Sequence, residues 1–193
     1  MIRFLRILAP VAALALTGCF GGAKAPAELL TLTPAESLPP GAVRSGGEAV
    51  VVLPPSVPRA IAANRIAVYV GPTSIQYLTN AVWVDQPNVL FRNLLSETIA
   101  VRTGRLVIDP ANFSQQQAVV LNGQLLQFGL DPTTNEAVVM FEGSLARSGS
   151  NAAQTQRFEA RVPVTAQTAA AVAPALNTAS NNVAQQVADW VGR

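Results

Sequence analysis

Residues 118–147 read AVVLNGQLLQFGLDPTTNEAVVMFEGSLAR, and this stretch decides the fold. Residues 118–130 are rich in Val, Leu and Phe and predict one long strand. Gly123 inside it predicts a bulge or a close contact. Residues 136–147 predict its partner, joined through a turn at Asp131-Pro132.

The sequence on either side extends that hairpin. TQRFEARVPV (155–164) alternates cleanly, with Phe158, Ala160 and Val162 on one face and Arg157, Glu159 and Arg161 on the other. It predicts a strand with one wet face. Residues 167–191 are Ala-rich, with Pro174 interrupting; after it Leu176, Val183, Val187 and Trp190 make one helical stripe. The small residues of 167–182 suit either close helix packing in a homo-oligomer or an economical helix. Upstream, RLVID (105–109) is a short strand. Asp85-Gln86-Pro87 predicts a helix start, with Asp85 capping backbone N–H groups and a stop at Gly104. Leu90, Leu94, Leu95 and Ile99 share its buried face. RIAVYVG (65–71) and TSIQYLTN (73–80) predict a hairpin around Gly71-Pro72 that breaks at Asn80. EAVVVLPP (48–55) is a buried strand closed by prolines. ELLTLTPAE (28–36) reads as a first short strand, and residues 37–47 as a mobile loop. The whole predicts an α/β (α+β) domain: a mostly antiparallel or mixed sheet with two helices packed on it, preceded by a lipoprotein signal peptide.

That signal lies in the first residues. Arg3 and Arg6 form a positive region, and Ile7 to Leu16 is apolar apart from Pro10. The layout is secretory and too short to span a bilayer. Leu16-Thr17-Gly18-Cys19 resembles a bacterial lipobox, whose cysteine thiol takes a diacylglycerol and becomes the first residue after cleavage. Cys19 is the chain's one cysteine, so no disulfide forms within it. Each buried CH₂ contributes about 0.8 kcal/mol, so several acyl chains, palmitate for example, anchor firmly where one does not. Phe20 rather than Asp follows the cysteine, so the inner-membrane retention signal of enteric bacteria is missing and an outer-membrane anchor facing the periplasm is expected. The expected division is 1–18 signal peptide, 19–27 lipidated cysteine and tether, and 28–193 domain.

Composition narrows the chemistry. Of 193 residues 50% are hydrophobic and 12% charged, and without Arg3 and Arg6 the 13 basic residues fall to 11, matching 11 acidic ones. A neutral body without a basic cluster argues against nucleic acid as partner. There is no histidine, which removes His-based triads and most zinc sites; no metal or other cofactor is expected. The single lysine, Lys24, lies in the tether, so a Ser-Lys arrangement is remote. Asp109, Asp131, Glu136 and Glu142 are the acids available for acid–base pairing, and surface solvation accounts for them better. No catalytic residue is assigned.

The order of the pieces resembles a known family. The run VVVLPPSVPRAIAANRIAVYVGPTSIQYLTNAVWVDQPNVLFRNLLSETI (50–99) is similar to the core of the ABC-type transport auxiliary lipoproteins, in which an aromatic motif W-x-[DE]-x-P precedes a helix. Trp83, Asp85 and Pro87 occupy those places. The stretches VVLNGQLLQFGLD (119–131), AVVMFEGSLAR (137–147) and QRFEARVPV (156–164), and the helix ending VADWV, match its later half. The likeness covers about residues 28–191, and departs from the family in that ELLTLTP carries no aromatic residue. The resemblance implies an accessory lipoprotein of MCE-type ABC transporters, which move lipids across the Gram-negative envelope, with transporter subunits as partners. Tyr77 and Trp83 are candidates for the partner surface, with buried packing as the alternative. A lipid carrier is the other function in view, with strands 118–130 and 136–146 lining its apolar cavity.

Overall fold

The structure, a computed structural model, describes residues 28–44, 47–112, 118–147 and 152–193. The signal peptide, Cys19, Lys24 and the tether lie outside the described residues.

The long hairpin is the middle of a seven-stranded mixed sheet. Strand β5 (Ala118–Asp131) pairs antiparallel with β6 (Glu136–Arg147) along its whole length, from Val119↔Arg147 to Asp131↔Glu136. β7 (Ala153–Pro163) adds antiparallel to β6 and forms one edge. The opposite side of β5 is shared end to end by two parallel strands. β1 (Ala49–Val52) takes Ala118 to Leu121, and β2 (Arg65–Gly71) takes Gly129 and Leu130. Between them the proline-rich segment leaves the sheet and returns through one helical turn, α1 (Arg59–Ala62), which buries Ile61. β4 (Val107–Ile108) lies parallel outside β1, and β3 (Ser74–Val82) antiparallel outside β2.

Two helices cover one face, as the periodicity predicts. α2 (Pro87–Thr103) starts with proline at its first turn and ends on Gly104 at φ 66°, a left-handed stop that glycine accepts without strain. It buries Leu90, Phe91, Leu94, Leu95 and Ile99. α3 (Ala169–Val191) buries Val172, Leu176, Val183, Val187 and Trp190, and packs against α2, β6 and β7. Its small residues Ala175, Ala179, Ala184 and Ala188 are buried within the chain, where they let the helix sit close to its neighbours. Phe91, Phe141, Phe158 and Trp190 run through this core as successive ring contacts at 5.5, 6.4 and 5.5 Å. The face away from the helices is wet at β7: Arg157 bonds Glu142 at 2.7 Å, and Arg161 bonds Glu159 at 2.6 Å.

Four local expectations change, and the choice left open at Gly123 is decided. Asn80 does not break its strand: it takes φ 56° and the β2–β3 register shifts beside it, so β3 runs on to Val82. Asparagine tolerates that conformation, and the bulge absorbs the extra residues. The irregularity in β5 falls between Leu125 and Gln127, not at Gly123. Gly123 is a close contact, since a Cβ there would meet the Glu142 carbonyl oxygen and the Phe141 ring. Pro174 does not interrupt α3, because on an exposed face in the second turn it removes only one backbone bond. Asp85 accepts the N–H of Gln86 at 2.6 Å, ahead of the helix, and α2 has no side-chain cap. Residues 28–36 form a single parallel bridge, Leu30↔Trp83, instead of a strand.

Candidate functional site

The expected anchor precedes residue 28, and the structure shows how the chain enters the domain from that side. Leu30 donates its N–H to Val82 and accepts from the N–H of Val84, both at 2.8 Å. Two asparagines one turn apart on α3 then hold the next residues. Asn177 Oδ1 accepts the Thr33 N–H at 2.8 Å, and Asn181 Oδ1 accepts the Ala35 N–H at 2.7 Å. Asn181 Nδ2 donates to the Thr33 carbonyl at 2.9 Å, and Glu97 on α2 accepts the Leu38 N–H at 3.0 Å. The segment thus touches β3, α3 and α2 in succession, and residue 38 of the expected mobile loop is tied down. An asparagine at i and another at i+4 is the signal that sequence reasoning missed. Both sit on one helix face, and each amide can satisfy an irregular backbone strand that has no sheet partner.

The two aromatics put forward for a partner surface separate. Trp83 is 1% exposed and packs at a tilt against Phe128 with centroids 5.4 Å apart, so the packing alternative describes it. Its indole Nε1 has no hydrogen-bond partner among the described residues. Tyr77 is half-buried beneath the Arg65 guanidinium, 5.2 Å from its ring centre. The pairings Tyr69↔Ile75 and Ala67↔Tyr77 put Tyr69, Ile75 and Tyr77 on one face of the hairpin, with Ile75 exposed. Tyr69 closes a backbone gap: its hydroxyl accepts the Phe128 N–H at 3.0 Å, beside the β5 irregularity. Burial pushes its phenol above the usual tyrosine range, and the Phe128 hydrogen bond opposes this.

The acids weighed for catalysis face arginines. Asp109 pairs with Arg92 at 2.9 Å, Glu142 with Arg157 at 2.7 Å, and Asp131 and Glu136 share Arg161 at 3.5 and 3.4 Å. The Ala111 N–H and Arg92 hold the Asp109 carboxyl below its ordinary range. Among the described residues no group of three or more His, Cys, Asp and Glu is placed to hold a metal ion. No helix among them is long and apolar enough to cross a membrane.

The apolar side chains of β5 and β6 mostly fill the core beneath the helices: Leu121, Leu125, Phe128, Leu130, Val139 and Phe141 are all buried. A cavity of about 530 Å³ opens at one end of these strands, between Val119, Leu145 and the C-terminal turn of α3. Arg105, Arg147 and Arg193 also line it.

Comparison with known proteins agrees with this architecture. None of the curated proteins matches the chain. A Xanthomonas campestris protein of the family DUF330 has a similar crystal structure, with TM-score 0.69 and 19% identity over 86% of this chain and 94% of that one. A second crystal structure, of an uncharacterized protein, superposes with TM-score 0.67 and 14% identity over 85% of this chain and 99% of that one. At such identities these two show the fold alone. The family model described as the ABC-type transport auxiliary lipoprotein component matches residues 29–188, from the clasped segment to the last turns of α3, and the chain belongs to that family.

Proposed function

We propose that the chain is a non-catalytic accessory subunit of an MCE-type ABC transporter, anchored through acyl chains on Cys19 at the outer membrane and facing the periplasm, where it assists lipid movement across the envelope. The observation that carries this reading is the family match over residues 29–188, which names an auxiliary lipoprotein of ABC transport. Leu16-Thr17-Gly18-Cys19 supplies the attachment point, and Phe20 favours the outer membrane. The clasp of residues 30–38 onto α2, α3 and β3 supports it further, because force on a membrane tether would reach the core directly. Pairing of Asp109, Asp131, Glu136 and Glu142 with arginines supports a body without acid–base chemistry. Tyr77 and Ile75 are the side chains offered to a partner.

The first test is the intact mass of protein purified from membranes, beside Cys19→Ser. A mature chain starting at Cys19 with added acyl mass, lost in the variant, is the expected result; an unacylated chain ends the lipoprotein reading. Membrane separation then places it in the outer or the inner membrane. Co-purification follows, and transporter subunits that stay with wild type but are lost on Tyr77→Ala/Ile75→Ala in a folded protein are expected. If no ABC transporter subunit co-purifies with the wild type, the accessory role fails.

A further inference from the structure

We propose that the cavity beside Trp190 binds an anionic amphiphile, a molecule with an acyl chain and a negatively charged head. The proposal goes beyond the accessory role and is argued from the cavity alone.

Its volume of about 530 Å³ falls within the range of small-molecule sites. Its floor is apolar, made by Val119, Leu145, Trp190 and Val191. Three arginines, Arg105, Arg147 and Arg193, line the cavity as well. Arg105 donates from Nη1 to the Val191 carbonyl at 3.1 Å, at the C-terminal turn of α3. That bond fixes the side chain and offsets the negative end of the helix dipole, while further N–H groups of the guanidinium stay available. Arg147 uses Nε for Glu48 at 3.1 Å, and its two terminal amino groups have no partner among the described residues. The other polar lining includes Gln154 and Gln156, and no Asp or Glu lines the cavity among the described residues.

A free phosphate would use the arginines and leave the floor wet. An uncharged hydrocarbon would use the floor and none of the guanidinium N–H groups that the Val191 carbonyl and Glu48 leave over. Only a molecule with both parts matches both surfaces. Guanidinium donors in a fixed plane suit phosphate and carboxylate oxygens, so the head is a phosphate ester or a carboxylate.

The two tryptophans allow a direct test, since Trp190 lines the cavity and Trp83 lies in the core elsewhere. The full chain, purified from membranes in a nonionic detergent at fixed concentration, is titrated with lysophosphatidylglycerol carrying a brominated acyl chain. Bromine quenches tryptophan only at contact. Saturable quenching is expected, at least tenfold weaker in Arg105→Gln/Arg147→Gln and absent in Trp190→Phe. Gln156→Glu, an exposed change at the cavity wall, is expected to weaken the anionic probe and to spare lysophosphatidylcholine with the same chain, which covers the case of a misfolded double variant. A brominated fatty acid run in parallel separates a carboxylate head from a phosphate ester. Quenching that is equal in wild type and in both arginine-site variants, or equal for the neutral probe in wild type, overturns the proposal. So does displacement by inorganic phosphate at the probe's own concentration. The readout is independent of co-purification, so loss of transporter partners would leave this result standing.

Discussion

Asn181 satisfies both polarities of one backbone stretch, accepting from Ala35 and donating to Thr33, and it is only 6% exposed. Removing it loses the hydrogen bonds to these two backbone groups, at about 1 kcal/mol for each. Asn181→Ala should therefore lower stability by about 2 kcal/mol and expose residues 33–38 to protease, and Asn177→Ala should do less because its contacts are exposed. Urea unfolding with limited proteolysis measures both. Tyr69 gives a second residue-level prediction, with an explicit sign. Burial raises its phenol above the unfolded value, so its contribution is complete below about pH 10 and is lost as pH rises through the higher folded value. Tyr69→Phe should cost about 1–2 kcal/mol at pH 7, because the Phe128 N–H loses its acceptor, and should flatten the alkaline limb of stability against pH. An alkaline limb unchanged by the variant would assign it to another group.

Within elements, the central hairpin depends on a glycine pair. Gly123 faces Gly143 across the β5–β6 ladder. The Phe141 ring occupies the space above Gly123, and a Cβ on Gly143 would come within 3.0 Å of that ring and 3.3 Å of the Trp190 indole. Gly123→Ala should cost about 2–3 kcal/mol, since the obstacle includes backbone that cannot swing away. An unfolding free energy within about 0.5 kcal/mol of wild type would show that the strands part more easily than this geometry implies. In α3 the effect runs the other way. Pro174 is exposed and lacks the N–H that Ala170 would accept from, so Pro174→Ala should stabilise the protein by roughly 1–3 kcal/mol. A higher midpoint at unchanged denaturant slope is the expected signature.

For the whole molecule, one β-strand organises two halves. β1 with β4 and β2 with β3 meet the same side of β5 without pairing to each other, and the helices bridge them from one face. The hairpins, both long helices, the wet face of β7 and the stop at Gly104 were legible because each is a local period or a local stop. The bulge near Asn80 and the continuity of α3 through Pro174 were not, since asparagine tolerates a left-handed φ within a strand and an exposed proline in the second turn removes only one backbone bond. Of the partner-surface candidates, Tyr77 keeps an outward position, whereas Trp83 goes inward against Phe128. A W-x-D pattern looks the same in both situations. The clasp by Asn177 and Asn181 spans 144 and 146 residues, and a helical spacing alone names no partner.

The sequence by itself determined the types of the long strands and the two long helices, the antiparallel neighbours joined by short turns, the neutral charge of the body and the absence of histidine chemistry. These follow from periods of two and 3.6 and from composition, both of which are local. The tertiary structure decided that β1 and β2 share one edge of β5, that Trp83 is core, that residues 30–38 are clasped, and that a cavity opens where β5 begins and α3 ends. The physical reason is that parallel pairing and burial join residues far apart in the chain. Their free energy depends on what lies on both sides of a side chain, and a linear pattern specifies only one of them.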